Sequence, residues 1–203
     1  MPNAPLCILD DVLDAAACAA LMQRIEQLGP TSTRVRTPWG ARVDPTLRNN
    51  ARVWFDDDPL AAAIFEAILP GVQALKTRWP SLLTGIPRRC EATFRGYRYR
   101  AGERFALHQD SSFVDDDGAR TLVTVLVYLN GGEAGKELVG GQTRFSDLGI
   151  EVTPARGRAC LFPHVLPHEG VVVEAGTKYL LRTNVLFAHD LSYDRGPTEP
   201  ELR

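Results

Sequence analysis

The sequence predicts a single α+β domain that is mainly β, in which two or three supporting helices precede a jelly-roll-like core. Apolar residues recur at helical spacing in the first third of the chain, whereas from Arg88 onward short β-prone runs are separated by Gly, Asp and Pro. Closely spaced short strands without intervening helices are typical of a sandwich or jelly-roll barrel. The length of 203 residues, 44% of them apolar, is enough to bury one core.

The predicted helices are separated by a long connector. The first helix spans 10–28, where aspartates precede apolar residues at helical spacing. The second spans 58–69, opens with an Asp-Pro cap and is expected to close at Pro70. A shorter helical segment covers 72–79. The connector 31–50 is rich in Pro, Gly, Arg and Thr, and connections of this length are often functional.

Seven β-prone runs follow the helices, at 90–99, 121–129, 142–146, 150–153, 158–163, 170–173 and 177–187. We therefore expect one domain over 1–203, with helices and a possible lid loop in 1–87. The β core covers 88–189, and 190–203 forms a C-terminal tail.

Composition excludes several classes of protein. A net charge of −2 provides no overall basic field for binding nucleic acid. No apolar run approaches the ~20 residues of a membrane-spanning helix, and the first residues do not resemble a secretory signal. The four cysteines are scattered without a CxxC pair, as in reduced proteins. We expect a cytoplasmic protein with neither nucleic-acid nor membrane partners and an oligomeric state that the sequence does not specify.

A metal site is predicted around His108 and Asp110. On an extended strand these two side chains point to the same face, so both can reach one ion. A distant histidine would complete a two-histidine, one-carboxylate face with open positions, which is typical of non-haem Fe(II) oxygenases. His168 is the candidate third ligand, and His164 is its rival.

The run 177–187 carries two cations on one face. Alternation groups Lys178 with Leu180, Arg182 and Asn184. Facing inward, these cations would be expensive to bury without an anion, and a dicarboxylate cosubstrate would supply one. The alternative is an edge strand whose Lys and Arg are solvated.

The segment from about Arg88 to Phe187 resembles the catalytic core of Fe(II)/2-oxoglutarate-dependent dioxygenases of the prolyl 4-hydroxylase-like group. Six pieces occur in the family's order: Tyr97–Asp110, Arg120–Asn130, Gly140–Phe145, Pro154–Gly157, His168–Gly170 and Gly176–Lys178. Two further pieces resemble an uncharacterised bacterial and fungal branch of the group, namely Leu181–Val185 and Arg48–Arg52 followed by Asp56–Asp58. The resemblance implies a double-stranded β-helix core.

The resemblance also implies cofactors and their ligands. His108, Asp110 and His168 would be the catalytic residues and hold Fe(II), while Lys178 and Tyr128 would bind the distal carboxylate of 2-oxoglutarate. O2 would be the second cosubstrate, and L-ascorbic acid could serve as reductant.

Other site residues carry less specific roles. By resemblance, Tyr99 lines the cosubstrate pocket and Thr124 lies nearby. Arg182 replaces the family's small polar residue and would meet either the other end of the cosubstrate or an acidic substrate. Whether Lys178 or Arg182 binds the distal carboxylate stays open. Asn50 and Arg52 are the candidates for reaching substrate from a lid.

The function implied by the resemblance is that of a hydroxylase. It would act on a peptidyl or free amino acid, or another small molecule, and release succinate and CO2. Three alternatives stay open: a nucleic-acid demethylase of the same fold, a cupin-type metalloenzyme that does not use 2-oxoglutarate, and a catalytically silent binding or sensor module. The acidic charge balance argues against the first, and an inward Lys178 against the second.

Overall fold

The computed structural model describes residues 4–32, 35–37, 40–42, 44–131 and 138–188. The predicted tail 190–203 lies outside these ranges. Within them the chain forms helices α1 (Ala15–Gln27) and α2 (Asp58–Arg78) and one turn of 3-10 helix (Ser146–Leu148). The strands are β1 (Cys7–Leu9), β2 (Thr31–Ser32), β3 (Val35–Thr37), β4 (Gly40–Arg42), β5 (Ala51–Asp56), β6 (Ile86–Cys90), β7 (Thr93–Arg100), β8 (Phe105–His108), β9 (Arg120–Tyr128), β10 (Val139–Gly140), β11 (Thr143–Phe145), β12 (Ile150–Val152), β13 (Ala159–Pro163), β14 (His168–Gly170), β15 (Val173–Ala175) and β16 (Thr177–Ala188).

Two antiparallel sheets form the core. The major sheet has eight strands in the order β1-β13-β9-β16-β7-β5-β2, with β6 pairing to β16 beyond the end of β7. The minor sheet has the order β12-β11-β14-β8. Non-consecutive strands are neighbours in both sheets, which is the arrangement of a jelly roll. The predicted fold class, mainly β with N-terminal supporting helices, is confirmed.

The outer face of the major sheet packs on the helices. Strands β9 and β16 alternate, and one set of their side chains joins the apolar stripes of α1 and α2 in a single buried cluster. Fully buried members of this cluster are Ile25, Ile64, Ile68, Val72, Val123, Val125, Val127, Leu181 and Val185. The other set faces the minor sheet and builds a second cluster around Tyr97, Tyr99, Leu126, Tyr128, Phe145 and Phe162.

The first helix begins later than predicted. Asp14 is its N-cap, and its carboxylate accepts a hydrogen bond from the Ala17 amide at 2.7 Å. The residues before it make other backbone hydrogen bonds, because β1 pairs with β13 and the Val12 amide donates to the Gly157 carbonyl. The predicted start at Asp10 is therefore wrong.

The second helix does not close at Pro70. It runs without interruption over 58–78, so the two helices predicted for this part of the chain are one. Pro70 has no amide to donate to the Glu66 carbonyl, and both residues are exposed on the helix surface. By length and composition alone α2 could cross a membrane, whereas the sequence analysis found no apolar run of that length. Its buried stripe instead packs against the sheet.

The strands also differ from prediction in several places, and two of the differences bear on the site. The run expected over 170–173 is divided, because β14 belongs to the minor sheet whereas β15 pairs with β10. Strand β5, which follows the long connector and pairs with β7, was not predicted. It brings the residues around position 50 beside the functional site.

Candidate active site

The two histidines of the predicted metal face lie opposite each other on neighbouring strands. His108 ends β8 and His168 begins β14, and the two residues are paired in the minor sheet. The Nδ1 of His108 lies 2.9 Å from the carbonyl oxygen of Ala106, and that of His168 lies 3.0 Å from the carbonyl oxygen of Leu166. A carbonyl oxygen only accepts, so Nδ1 carries the proton in each ring. Both Nε2 lone pairs are therefore available to a metal.

Asp110 completes the set. Its carboxylate oxygens each lie 3.8 Å from one histidine Nε2, and the ligand atoms of the three residues all fall within 4.8 Å of one another. Thr124 donates to Oδ2 at 2.5 Å, and Arg182 Nη1 lies 2.9 Å from Oδ1. The structure thus brings His108, Asp110 and His168 together as the sequence predicts.

The charge states of these groups suit a divalent transition metal. Burial lowers the pKa of His108 to about 3, aided by the neighbouring His168, and it also lowers the pKa of His168. Burial raises the pKa of Asp110, but Arg182, His168 and the Thr124 hydroxyl outweigh it and bring that pKa down to about 2. Two neutral imidazoles and an ionised carboxylate fit Fe(II) and leave coordination positions open.

His164, the rival third ligand, contacts the site through Thr124. Its Nδ1 lies 2.8 Å from the Thr124 hydroxyl oxygen, whose proton is committed to Asp110, so His164 is the donor. Its backbone carbonyl also accepts from the Asp110 amide. Thr124, expected near the cosubstrate, therefore lies in a chain of hydrogen bonds that orients Asp110.

A pocket extends from this face toward Lys178. It is lined by Tyr97, Tyr99, Phe105, His108, Asp110, Leu126, Thr143, His168, Gly170, Lys178, Leu180 and Arg182. Lys178 and Arg182 thus face inward, and β16 lies between β9 and β7 in the sheet. The alternative of a solvated edge strand is wrong.

Lys178 is almost completely buried at 1% exposure, with no carboxylate beside it among the described residues. Its Nζ donates to the Gly141 carbonyl at 2.5 Å and lies over the rings of Tyr99 and Tyr128. Burial lowers the pKa of Lys178 to about 7. Gly141 has φ +71°, and a Cβ there would come within 3.2 Å of the lysine side chain, so a glycine leaves room for the cation.

Thr143 is a pocket residue that sequence reasoning missed. The fully buried Tyr128, predicted to bind the distal carboxylate, donates its hydroxyl proton to Thr143 Oγ1 at 2.7 Å. Thr143 itself lines the pocket beside Lys178. Its place within the Gly140–Phe145 piece was the available signal. Tyr99, expected at the cosubstrate pocket, lines this pocket and lies below the Lys178 ammonium.

Asn50 and Arg52, the predicted substrate residues, lie near the site but do not line the pocket. Asn50 is buried and accepts from Arg48 Nε at 2.7 Å. Arg52 stacks on Trp54 and faces the Tyr97 hydroxyl. Arg48 was missed, although alternation from 48 to 52 would have indicated that it shares a side of the chain with Arg52.

Comparison with known proteins agrees with this geometry. The model of the 2OG-Fe(II) oxygenase superfamily matches residues 94–186. No curated protein matches the chain at a significant level.

Solved structures share its fold. A viral collagen prolyl hydroxylase from Paramecium Bursaria Chlorella virus-1, solved with 2OG, is 20% identical, with 92% of this chain and 98% of that chain covered and a TM-score of 0.62. A Pseudomonas putida prolyl-4-hydroxylase is 22% identical, with coverage of 92% and 94% and a TM-score of 0.59. A prolyl hydroxylase from Trichoplax adhaerens, in complex with a hypoxia inducible factor peptide fragment, is 20% identical, with coverage of 91% and 84% and a TM-score of 0.61.

The family match contains all three ligands of the metal face and Lys178. The pocket that joins them suits a dicarboxylate cosubstrate. Residues 94–186 therefore form a 2OG-Fe(II) oxygenase domain with the fold of prolyl 4-hydroxylases, and this domain is that of a dioxygenase that uses Fe(II), 2-oxoglutarate and O2.

Proposed function

We propose that this enzyme hydroxylates a carbon of a peptidyl or free amino acid, or of another small molecule, and releases succinate and CO2. One observation carries the proposal: a three-ligand metal face and a buried lysine line the same pocket. Lys178 and Arg182 are four residues apart on β16, about 13 Å along a strand, and Arg182 contacts Asp110. A five-carbon dicarboxylate fits within this distance.

Each part of the chain has a separate task in this proposal. His108, Asp110 and His168 hold Fe(II), and the His164–Thr124 chain fixes the orientation of Asp110. Lys178 binds the distal carboxylate, with the Thr143 hydroxyl beside it. When bound, Fe(II) and 2-oxoglutarate supply the reduction of O2 and the transfer of one oxygen atom to the substrate.

Apolar side chains keep water from this part of the pocket. Leu126 and Leu180 line it, and both are nearly fully buried on the inner face of the major sheet. A dry pocket strengthens the attraction between Lys178 and a carboxylate, because the local dielectric constant is low. The same attraction favours 2-oxoglutarate over a cosubstrate without a second acid, so we do not favour a cupin-type reaction.

The fold also motivates the substrate class. One similar structure is described as a viral collagen prolyl hydroxylase, and another as a prolyl hydroxylase in complex with a peptide fragment. We extend that class to this chain as a peptidyl or free amino acid. A net charge of −2 supports a substrate other than nucleic acid.

An anaerobic titration tests the proposed function. Metal-free protein receives Fe(II) and then 2-oxoglutarate while visible absorbance is recorded. We expect a weak metal-to-ligand charge-transfer band that saturates at one 2-oxoglutarate per chain, and succinate after O2 is admitted. Iron binding without the band would contradict the use of 2-oxoglutarate, and absence of both would contradict the metal site.

Replacement of Thr124 by valine is expected to weaken Fe(II) binding by about 10- to 100-fold, as removal of other outer ligand contacts does. The substitution removes the hydroxyl that orients Asp110 and leaves His164 without its acceptor. Fe(II) affinity is measured by competition with a chelator. Thr121→Val, on the same strand, is the matched control because, among the residues the structure describes, the Thr121 hydroxyl accepts from the Phe113 amide and does not contact Asp110. Equal affinities for the two variants would show that the chain does not support the metal.

A further inference from the structure

Four arginines surround Tyr97 next to the metal face. This arginine cluster consists of Arg48, Arg52, Arg95 and Arg182, and all four lower the pKa of the Tyr97 phenol. Arg52 is paired with Tyr97 across β5 and β7, and Arg95 is paired with Arg182 across β7 and β16. Like charges placed directly opposite each other destabilise a sheet.

The cluster has more positive charge than the nearby acids neutralise. Arg182 pairs with Asp110, which the metal also needs, and Arg95 lies 3.8 Å from Glu91. In the described part of the chain, neither Arg48 nor Arg52 forms a salt bridge. Arg48 is nevertheless only 5% exposed. Four guanidinium groups therefore face two carboxylates.

Several donors of the cluster have no acceptor. Arg48 Nη2, Arg95 Nη1 and Arg182 Nε are buried without a hydrogen-bond partner. Leaving charged donors unsatisfied away from water costs free energy unless a ligand restores the contacts. Burial raises the pKa of Tyr97, yet the four arginines bring it down to about 8. Both observations indicate a site that attracts negative charge.

The arginine cluster lies next to the metal face and away from Lys178. Arg182 lines the pocket and contacts Asp110. The Arg48 guanidinium lies 4.1 Å from the centroid of the Phe105 ring, which stacks at 3.6 Å on the ring of His108. Lys178 is about 13 Å from Arg182 along β16. An anion on the cluster would therefore be a different group from the distal carboxylate of 2-oxoglutarate.

We propose that the arginine cluster binds a carboxylate or phosphate group of the substrate, so that this oxygenase acts on an anionic molecule. Guanidinium groups bind both oxyanions through charge-assisted hydrogen bonds, and the unpaired donors on Arg48, Arg95 and Arg182 could each contribute one such bond to the same anion. The assignment of the anion to the substrate rests on the proposed function. The capacity of the cluster to bind an oxyanion does not.

The test is a calorimetric titration of the full chain with inorganic phosphate and, separately, with acetate at constant ionic strength. It is run with and without Fe(II) and 2-oxoglutarate, so that anion binding is measured even if no cosubstrate band forms. Arg48→Met is the main variant because Arg48 does not contact Asp110. Arg182→Met is the second. Arg100→Met is the matched control, since Arg100 is an exposed residue at the end of β7.

We expect at least one of the two anions to bind the wild type and Arg100→Met, and to bind Arg48→Met at least tenfold more weakly. The stronger of the two identifies the substrate group as a carboxylate or a phosphate. Lys178→Met separates the two sites, because it should lose 2-oxoglutarate and keep the tested anion. Absence of anion binding to the wild type overturns the proposal, as does loss of binding in Lys178→Met but not in Arg48→Met.

A kinetic measurement then connects the anion to the substrate. For a substrate identified by succinate release, Arg48→Met should raise the substrate KM at least tenfold and leave the KM for 2-oxoglutarate unchanged. A neutral substrate, or an equal rise in the 2-oxoglutarate KM, would contradict the assignment while leaving the oxygenase reaction intact.

Discussion

His168→Ala is expected to abolish the 2-oxoglutarate charge-transfer band and to reduce Fe(II)-dependent turnover at least a thousandfold. The substitution removes one of three ligands and opens the metal face where β14 meets β8. The remaining imidazole and carboxylate hold a divalent ion more weakly and no longer fix its open positions. Fe(II) binding, the band and succinate formation are measured on the same samples.

His164→Ala is the matched control for this experiment. It removes a buried histidine from the same segment of the chain, but one that reaches the metal only through Thr124 and Asp110. We expect it to retain the band at saturating Fe(II), with affinity lowered by about 10- to 100-fold. If His164→Ala lost the band and His168→Ala kept it, His164 would be the third ligand.

The three candidate metal ligands could be proposed from the sequence because local rules account for two of them. Alternation along a strand predicts that His108 and Asp110 share one face without long-range information, and although β8 ends at His108 the two side chains do converge. Pairing of His168 with His108 depends on the register of two strands far apart in sequence, which no local rule supplies. His168 and His164 were both considered for this position, and the family resemblance implied His168.

The arginine cluster could not be predicted for the same reason. Arg48, Arg95 and Arg182 come from three separate parts of the chain, and only the order β16-β7-β5 brings them together. Taken singly, an arginine is most often a solvated surface residue. Arg48 is buried, Arg95 and Arg182 are largely buried, and each has a donor without a hydrogen-bond acceptor, which distinguishes the three in the structure.

Local signals were also misleading where tertiary packing outweighed them. Pro70 predicts the end of a helix, but the stripe of Ile68, Val72 and Leu75 continues past it into the core. Burying these side chains contributes roughly 1.5–3 kcal/mol each. That gain offsets the ~3 kcal/mol or more that an interior proline costs. At Asp10, by contrast, acidic residues suggested a helix start, while β1 and its pairing with β13 delayed it.

Lys178→Met is expected to stabilise the ligand-free protein while weakening 2-oxoglutarate binding at least a hundredfold. The Nζ is buried with one carbonyl as its hydrogen-bond partner, and burial lowers the pKa of Lys178 to about 7. At neutral pH the folded protein therefore holds the Lys178 amine in a place where its charged form is disfavoured. This lowers the free energy of unfolding by an amount on the order of a few kcal/mol. Methionine fills similar volume without a charge, so Tm should rise by several degrees.

Lys76→Met is the control for this comparison, because Lys76 is a partly exposed lysine on α2. It should alter neither the Tm substantially nor the dissociation constant for 2-oxoglutarate. Both quantities are measured at pH 7, the second from the charge-transfer band of the Fe(II)-loaded protein. A Lys178→Met variant that binds 2-oxoglutarate normally would show that another cation binds the distal carboxylate, and Arg182→Met would then be the variant that loses it.

The pH dependence should identify the lysine independently of any substitution. Between pH 7 and the ordinary lysine pKa of 10.5, the unfolded chain keeps the proton of Lys178 and the folded chain loses it. The free energy of unfolding of the wild type should therefore rise with pH across this range relative to that of Lys178→Met, and the difference between the two proteins should be constant below pH 7.

A dicarboxylate requires the charged form of Lys178, so 2-oxoglutarate should bind with uptake of up to one proton above pH 7. Calorimetry in buffers of different ionisation enthalpy measures this uptake. Its absence at pH 8 would mean that Lys178 is already charged in the empty pocket, so that burial disfavours the charge less than expected and methionine stabilises the protein less.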